Sequence, residues 1–389
     1  MLSVELDINP QNLHYFDKFL SEGIVRPPVN SLRAGGSYDR SSGLYQRTYE
    51  VLIKKDGKEV VVNITLSATQ DKVNPLEIST ESTPLEHKFS EEEIEYLINL
   101  LISRIREAEK NTKEKLMKTF EYEARLSTSY YPLKSTIEFG KYTLVPSEKR
   151  DEQGWECKLK FTVEEIDKDY SLTEATIEAK IVAAWLSLVF NILIRLKSFS
   201  EITTAPKPIT NFETIERPDL RPRKHSFGEE IRIPHDFMEL WNNFCSLPSE
   251  IREGFISCCL CYQVAMEMRN THNPLSYQLF ITAVDFIAAK VVKEKPTKRF
   301  VDFICKNLKQ YDKEFINKLR GFYGRRSAIL HEKGIGLGFI PSFGIESFEE
   351  IPHEELWELE IIVNAALIDF LKNPEGCALI DCSKIQQIK

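Results

Sequence analysis

The sequence predicts an α+β N-terminal domain followed by an all-α helical bundle, and three observations carry that prediction. β-branched runs alternate with helical stretches in the first half, a proline-rich segment breaks the pattern, and everything beyond it has helical periodicity. The expected boundaries are 1–205 for the α+β domain, 206–233 for the linker, 234–375 for the bundle and 376–389 for a tail. Two domains suit a chain of 389 residues at ~150 residues each.

The first half is read element by element. Residues 47–69 hold two β-branched runs around Lys54-Lys55-Asp56-Gly57-Lys58, and Asp-Gly tolerates the positive φ of a tight hairpin turn. Ser90-Glu91-Glu92-Glu93 forms a capping box, in which a serine hydroxyl and a glutamate satisfy each other's backbone N–H groups. It opens a helix to about Asn111, with Ile94, Leu97, Ile98, Leu101 and Ile102 on one stripe. Strands return over 120–165, in TIEFGKYTLV and ECKLKFTVEEI. A second capping box, Ser171 to Glu174, is expected to open a long apolar helix over 172–197. Ser37-Tyr38-Asp39-Arg40 reads as a surface loop and Tyr130-Tyr131 as a strand edge, with no catalytic constellation in residues 1–200.

In the linker, Pro206, Pro208, Pro218 and Pro222 remove backbone donors and fix φ, which favours an extended crossing. Helices are then expected near 235–246, 248–270, 274–293, 297–310, 313–333 and 354–373. Pro274 and Pro296 fit first turns, Asn273 reads as a cap, and Gly334, Gly336 and Gly338 suit a helix end. No repeat of fixed period is evident.

Composition excludes disorder, with 42% hydrophobic and 28% charged residues, and a formal charge of −8 argues against a surface uniformly basic for nucleic acid. No basic n-region precedes an apolar h-region, and the longest uncharged apolar run, IVAAWLSLVFNILI, is too short to span a bilayer. The eight cysteines suit a reducing compartment, so the expectation is a cytoplasmic protein with no membrane partner. Cys258 and Cys261 form a literal C-x-x-C inside an apolar helix, which reads as core packing because a free thiol behaves as a small hydrophobe. No cluster with metal-ligand spacing is present, so neither metal nor cofactor is expected.

The charge is unevenly spread. From Lys290 to Lys333 there are thirteen basic and five acidic residues, a window of +8 that includes Lys318, Arg320, Arg325, Arg326 and Lys333. Such a stripe neutralises phosphates; the alternative is a solvated helix face. The stretch ends in Tyr323-Gly324-Arg325-Arg326-Ser327-Ala328-Ile329-Leu330-His331. It places a permanent cation five residues before a group that titrates near neutral pH, ~140° apart around a helix.

That segment resembles the R-x4-6-H signature of the HEPN superfamily, in the Y-x-x-R-S-x-x-x-H form of its Apea-like branch. The segments LPSEIREGFISCCLCYQVAMEMRN and PLSYQLFITAVDFIAAKVV are similar to the two preceding helices of that branch, so the resemblance spans roughly 235–375. It implies a HEPN-like helical bundle, a homodimer that brings two motifs into one cleft, and metal-independent endoribonuclease activity of the kind found in antiviral defence, abortive-infection and toxin-like systems. Arg326 and His331 match the motif's catalytic pair, Ser327 the polar position after the arginine, and Asp285 an acidic position on the earlier helix. Arg325, Arg320, Lys318, Lys333 and Tyr323 are the expected RNA-binding residues, and the N-terminal domain would sense a phage-derived or protein trigger. One departure is that Glu332-Lys333 separate His331 from Gly334, where the branch has glycine directly after its histidine.

The chemistry has its own logic. RNA carries its nucleophile, the 2′-hydroxyl, so cleavage needs proton transfer and stabilisation of a phosphorane-like state. A histidine near its ordinary pKa of ~6.5 suits the first task and a guanidinium fork the second. The alternatives are a helix-terminal His331 interacting with the helix dipole, and a non-catalytic HEPN-like module that binds RNA or nucleotide or serves assembly.

Overall fold

The structure, a computed structural model, describes residues 2–39, 44–55, 58–69, 72–80, 89–115, 117–129, 131–151, 154–201, 214–215, 230–332 and 351–373. The chain divides into two compact units, Met1–Met117 and Lys118–Lys389.

The first unit is an antiparallel five-stranded sheet with two helices. Its elements are β1 (Leu2–Val4), α1 (Leu13–Ile24), β2 (Val29–Asp39), β3 (Leu44–Lys55), β4 (Lys58–Ala68), β5 (Leu76–Thr80) and α2 (Glu91–Lys113). The strand order is β1-β5-β4-β3-β2. The anticipated hairpin is β3–β4, paired from Tyr45↔Ala68 to Lys55↔Lys58; Asp56 and Gly57 lie outside the described residues. Strict alternation on β4 buries Val60, Val62, Ile64 and Leu66 against Phe16 and Leu20 of α1 and Leu97, Leu101 and Ile105 of α2, as a half-buried strand requires. The first capping box is present: Ser90 Oγ accepts from Glu93 N at 3.2 Å, and Glu93 accepts from Ser90 N at 2.7 Å. Ser37, Tyr38 and Asp39 belong to β2, not to a surface loop, because they pair with Gln46, Tyr45 and Leu44 of β3.

The second unit joins a sheet to a bundle. Its sheet comprises β6 (Lys118–Ser127), β7 (Ile137–Phe139), β8 (Tyr142–Asp151), β9 (Gly154–Glu165) and β10 (Arg195–Glu201), in the order β10-β6-β9-β8-β7. Between β9 and β10 runs α3 (Lys168–Phe190). The short strands β11 (Thr214–Ile215) and β12 (Ile233–Pro234) pair in parallel, the first within the stretch 206–233 read as an extended linker and the second across its end; most of that stretch lies outside the described residues. The bundle follows as α4 (Phe237–Ser246), α5 (Ser249–Met268), α6 (Asn273–Val291), α7 (Pro296–Leu308), α8 (Lys313–Glu332) and α9 (His353–Lys372), close to the six segments expected.

Two expectations are corrected here. The helix predicted over 172–197 is α3, and it starts four residues earlier and ends at Phe190. Its cap is Asp167, whose side chain accepts from Tyr170 N, while Ser171 is fully buried and its hydroxyl meets Tyr122 Oη at 2.5 Å. Asn191 then adopts the left-handed conformation that ends helices, and Arg195–Glu201 pairs as β10 with β6. The unit boundary also differs from the one at 205. One continuous core takes in the sheet, α3 and the bundle, so β6 to β10 and α3 belong with the helices that follow them. Trp185 of α3 is the junction: it stacks on Phe139 of β7 (6.2 Å) and meets Phe237 (5.3 Å) and Trp241 (5.0 Å) of α4 edge-on.

No single helix among the described residues is long and apolar enough to cross a membrane. The apolar run IVAAWLSLVFNILI spans the end of α3 and the turn after it, and its Val182–Phe190 portion is wholly buried.

Trp185→Ala removes a fully buried indole and is expected to cost about 3–5 kcal/mol. Because the sheet and bundle share that core, hydrogen exchange should show amides of β6, β9 and α5 losing protection together. Retained protection in α5 with loss in the sheet would mean two separate cores.

Candidate functional site

Three helices of the second unit converge on the candidate site, and local sequence positions each. α6 is capped by His272, whose Nδ1 accepts from Leu275 N at 3.2 Å, with a proline in its first turn. The cap is thus His272, one residue before the expected Asn273, which is already helical. α7 begins at Pro296 and ends with Lys309 in the left-handed conformation. α8 is capped by Asp312, whose Oδ1 accepts from Phe315 N at 2.8 Å; that backbone bond holds its carboxyl below the ordinary range.

Along α8, Phe315, Leu319, Phe322 and Tyr323 are buried, a stripe at helical spacing that faces the core. Arg326 continues that stripe, three residues beyond Tyr323. The guanidinium is therefore carried inward, where α6 supplies Asp285. Arg326 Nη1 lies 3.4 Å from Asp285 Oδ2 and donates to Tyr323 Oη at 2.9 Å, and Tyr323 Oη donates to Asp285 Oδ2 at 3.2 Å. Arg326 also lies over the Tyr323 ring, 5.2 Å from its centroid, a cation–π contact. The Tyr323 ring is backed by Phe300 of α7 at 5.4 Å.

Asp285 has a second cationic neighbour that sequence reasoning did not single out. Arg299 of α7 places Nη2 3.9 Å from Asp285 Oδ1. One carboxylate thus stands between two guanidiniums. Burial nevertheless outweighs them and raises the Asp285 carboxyl above its ordinary value, with Arg326 and Arg299 pulling the other way. Tyr323 is raised as well, by burial first and by the Asp285 charge second. In the sequence Arg299 is one of the thirteen basic residues of the 290–333 window, and position on α7 alone gives no signal that it faces α6.

The remaining predicted residues divide. Ser327, Arg325, Arg320 and Lys318 are on the exposed side of α8, away from the cluster stripe. Arg325 pairs with Glu355 of α9 at 2.6 Å, and Lys318 pairs with Glu358. His331 is on the last turn of α8, but its side chain, like the whole of Lys333, lies outside what is described, as do Gly334, Gly336 and Gly338. The +8 window is also less open than its composition suggests. Lys290, Lys298, Arg299, Lys318, Arg325 and Arg326 all have acidic partners, and Glu250, Asp285, Glu355 and Glu358 come from outside the window. A count along the chain misses carboxylates that packing brings in from α5, α6 and α9.

The C-x-x-C cysteines are core residues. Cys258 and Cys259 are buried, Cys261 Sγ donates to Leu279 O at 3.3 Å, and burial pushes the Cys261 thiol up to about 12. Among the described residues no group of three or more His, Cys, Asp or Glu side chains is placed to hold a metal ion. The cluster's chemistry is cationic and hydrogen-bonding: two guanidiniums, a phenol and one carboxylate, suited to an oxyanion. The chain matches no protein-family model, no curated protein and no solved structure.

The raised Asp285 carboxyl has a stability consequence. The folded state holds this proton more tightly than the unfolded chain does. The group therefore favours folding most below its ordinary pKa of ~3.9, and that contribution is lost as pH rises through the folded value. At neutral pH the charge is carried at a cost. Asp285→Asn, which imitates the neutral acid, should leave the melting temperature at pH 7 unchanged or higher, and should remove this part of the acid-range slope. A fall of several degrees at pH 7 in scanning calorimetry would contradict the assignment.

Proposed function

We propose that the protein is a metal-independent endoribonuclease whose helical bundle acts as a homodimer, with Arg326 holding the scissile phosphate and His331 transferring protons. The observation that carries this reading is the placement of Arg326: a cation kept on the core-facing stripe of α8 and steadied by Asp285 and Tyr323, one and a half turns before His331 on the same helix. An arginine fixed in this way meets phosphate with less ordering cost than a free surface side chain. The 2′-hydroxyl attacks the adjacent phosphorus, the bond to the 5′-oxygen breaks, and a cyclic phosphate and a free 5′-hydroxyl result. His331 takes the 2′ proton or returns one to the leaving oxygen, according to its protonation state, with the second motif of the dimer supplying the complementary step. Arg326 meets the charge that grows on the non-bridging oxygens. Ser327, Arg325, Arg320, Lys318 and Lys333 would line the RNA path, and Met1–Met117 would sense a phage-derived or protein trigger in a defence or toxin-like system.

A second reading is a HEPN-like module that binds RNA or nucleotide without cutting it. The pairing of Arg326 with Asp285 favours it, since a guanidinium already in an ion pair has less charge to lend to a transition state.

Purified protein incubated with total RNA in EDTA should produce cleavage products bearing cyclic phosphates. His331→Ala should lower the rate by about 10²–10⁴-fold and Arg326→Ala by about 10²–10³-fold. Undiminished cleavage by His331→Ala would remove that residue from the site, and salt-dependent binding without products would favour the second reading.

A further inference from the structure

The Asp285 cluster is under-satisfied in a way that core packing does not explain. Its ion-pair distances, 3.4 Å to Arg326 and 3.9 Å to Arg299, exceed the ~2.7–2.9 Å of a charge-assisted hydrogen bond. Asp285 Oδ1, Arg299 Nε and Arg326 Nε are all buried and make no hydrogen bond. Buried polar atoms of this kind are a few per hundred residues in folded proteins, and here three belong to a single ion-pair cluster. Elsewhere Arg269 forms a tight pair with a buried carboxylate, donating to both oxygens of Glu360 at 3.1 and 2.9 Å. Arg47 Nε lies 2.9 Å from Asp17 but, like Arg299 Nε and Arg326 Nε, makes no hydrogen bond. What sets this cluster apart is that two such arginines and an unbonded carboxylate oxygen meet at one point.

Two guanidiniums share one carboxylate, which leaves an excess positive charge and unused donors. About a fifth of each arginine side chain reaches solvent, 22% for Arg299 and 20% for Arg326, against 14% for Asp285. A carboxylate offers two oxygens in a plane. A phosphate offers oxygens in a tetrahedron, which lets two forks from different helices bind it at once. We infer that the cluster is a phosphate clamp in which Arg299 is a second ligand-holding arginine beside Arg326, and Asp285 is the resident counter-anion that phosphate displaces. Tyr323 Oη, which already accepts from Arg326 and donates to Asp285, keeps the Arg326 fork aimed while its ionic partner changes. This rests on the ribonuclease reading only for the source of the phosphate, the RNA backbone; the clamp itself is defined by α6, α7 and α8.

The test uses the full chain in two assays. In the first, thermal stability is measured as sodium phosphate replaces sodium chloride at constant ionic strength. The wild type should show a saturating rise in melting temperature, Arg299→Gln and Arg326→Gln should each lose it, and Asp285→Asn should keep or enlarge it. Lys309→Gln, an exposed cation of the same window, should behave as wild type. Arg299→Lys keeps the charge but not the fork, and its partial response guards against misreading a misfolded glutamine variant. In the second assay, binding of a single-stranded deoxyoligonucleotide, which lacks the 2′-hydroxyl and is not cut, is followed against salt. Losing one phosphate contact should reduce the log–log slope of Arg299→Gln by about 0.7 and weaken binding roughly tenfold or more. A phosphate response equal in wild type and Arg299→Gln, or absent from the wild type, overturns the clamp. Loss of that response in Arg299→Gln while wild type cuts no RNA upholds the clamp and overturns the nuclease. RNA cleavage by the wild type with an unaltered phosphate response in Arg299→Gln does the reverse.

Discussion

The second unit depends on a helix with no polar side over its last turns. From Val182 to Phe190, α3 is buried at every position, including Ser187, whose hydroxyl donates to Ala183 O and accepts from Ile194 N. A helix that is apolar all round is stable only when covered on every flank. The sheet covers one flank, through Phe139 and Leu159, and α4, α5 and α9 cover the rest. That requirement fuses sheet and bundle into one core. The bundle in turn sets the crossing of α6, α7 and α8 at which Asp285, Arg299 and Arg326 meet.

The electrostatics follow from the same packing. A basic window in an acidic chain suggests an open cationic stripe, and tertiary structure changes that picture. Glu250, Glu355 and Glu358 draw Lys290, Arg325 and Lys318 into exposed pairs, each worth little in water and weakened by salt. Arg299 and Arg326 differ because their partner is mostly withdrawn from solvent, where screening is weak. The ion pairs that the window forms with carboxylates outside it are thus of two kinds. One consists of screened surface pairs that exchange readily with water and ions. The other is a pair of inward-facing guanidiniums whose field is focused on one point.

Much of this was legible in the sequence, and the misses have physical causes. Asp-Gly between β-branched runs, the Ser90–Glu93 box and Pro296 are local signals, and β3–β4, α2 and α7 follow them. Ser171 imitated a cap because serine is favoured at helix starts, yet Asp167 lies upstream and Ser171 is needed by Tyr122 in the core. β2 has Gly35 and Gly36 at its centre and no alternation, so no periodicity announced it; pairing with β3 alone makes it a strand. The unit boundary was placed at the prolines because composition marks linkers but does not reveal which side chains share a core. In the site, Arg326 and Asp285 were singled out through the HEPN resemblance and Tyr323 as an expected RNA contact, while the bonds among the three come from packing. Arg299 was not, because its role depends on the crossing of α7 with α6, a property that no spacing within one helix encodes.

Arg299 also alters how the site is to be understood. A carboxylate beside one arginine is a structural ion pair, and a fold selected for stability would tighten it or replace both partners with apolar side chains. Here burial raises the Asp285 carboxyl despite two guanidiniums, the contacts are long, and donors on both arginines go unused. Such an arrangement costs stability in the resting protein, and an anion that supplied the missing acceptors would recover it. The bound anion would complete the hydrogen bonds of both forks, so the deficit in the free protein becomes part of the affinity for phosphate. On this argument Asp285 serves as an occupant of the site that holds the two arginines apart and oriented until a better acceptor arrives.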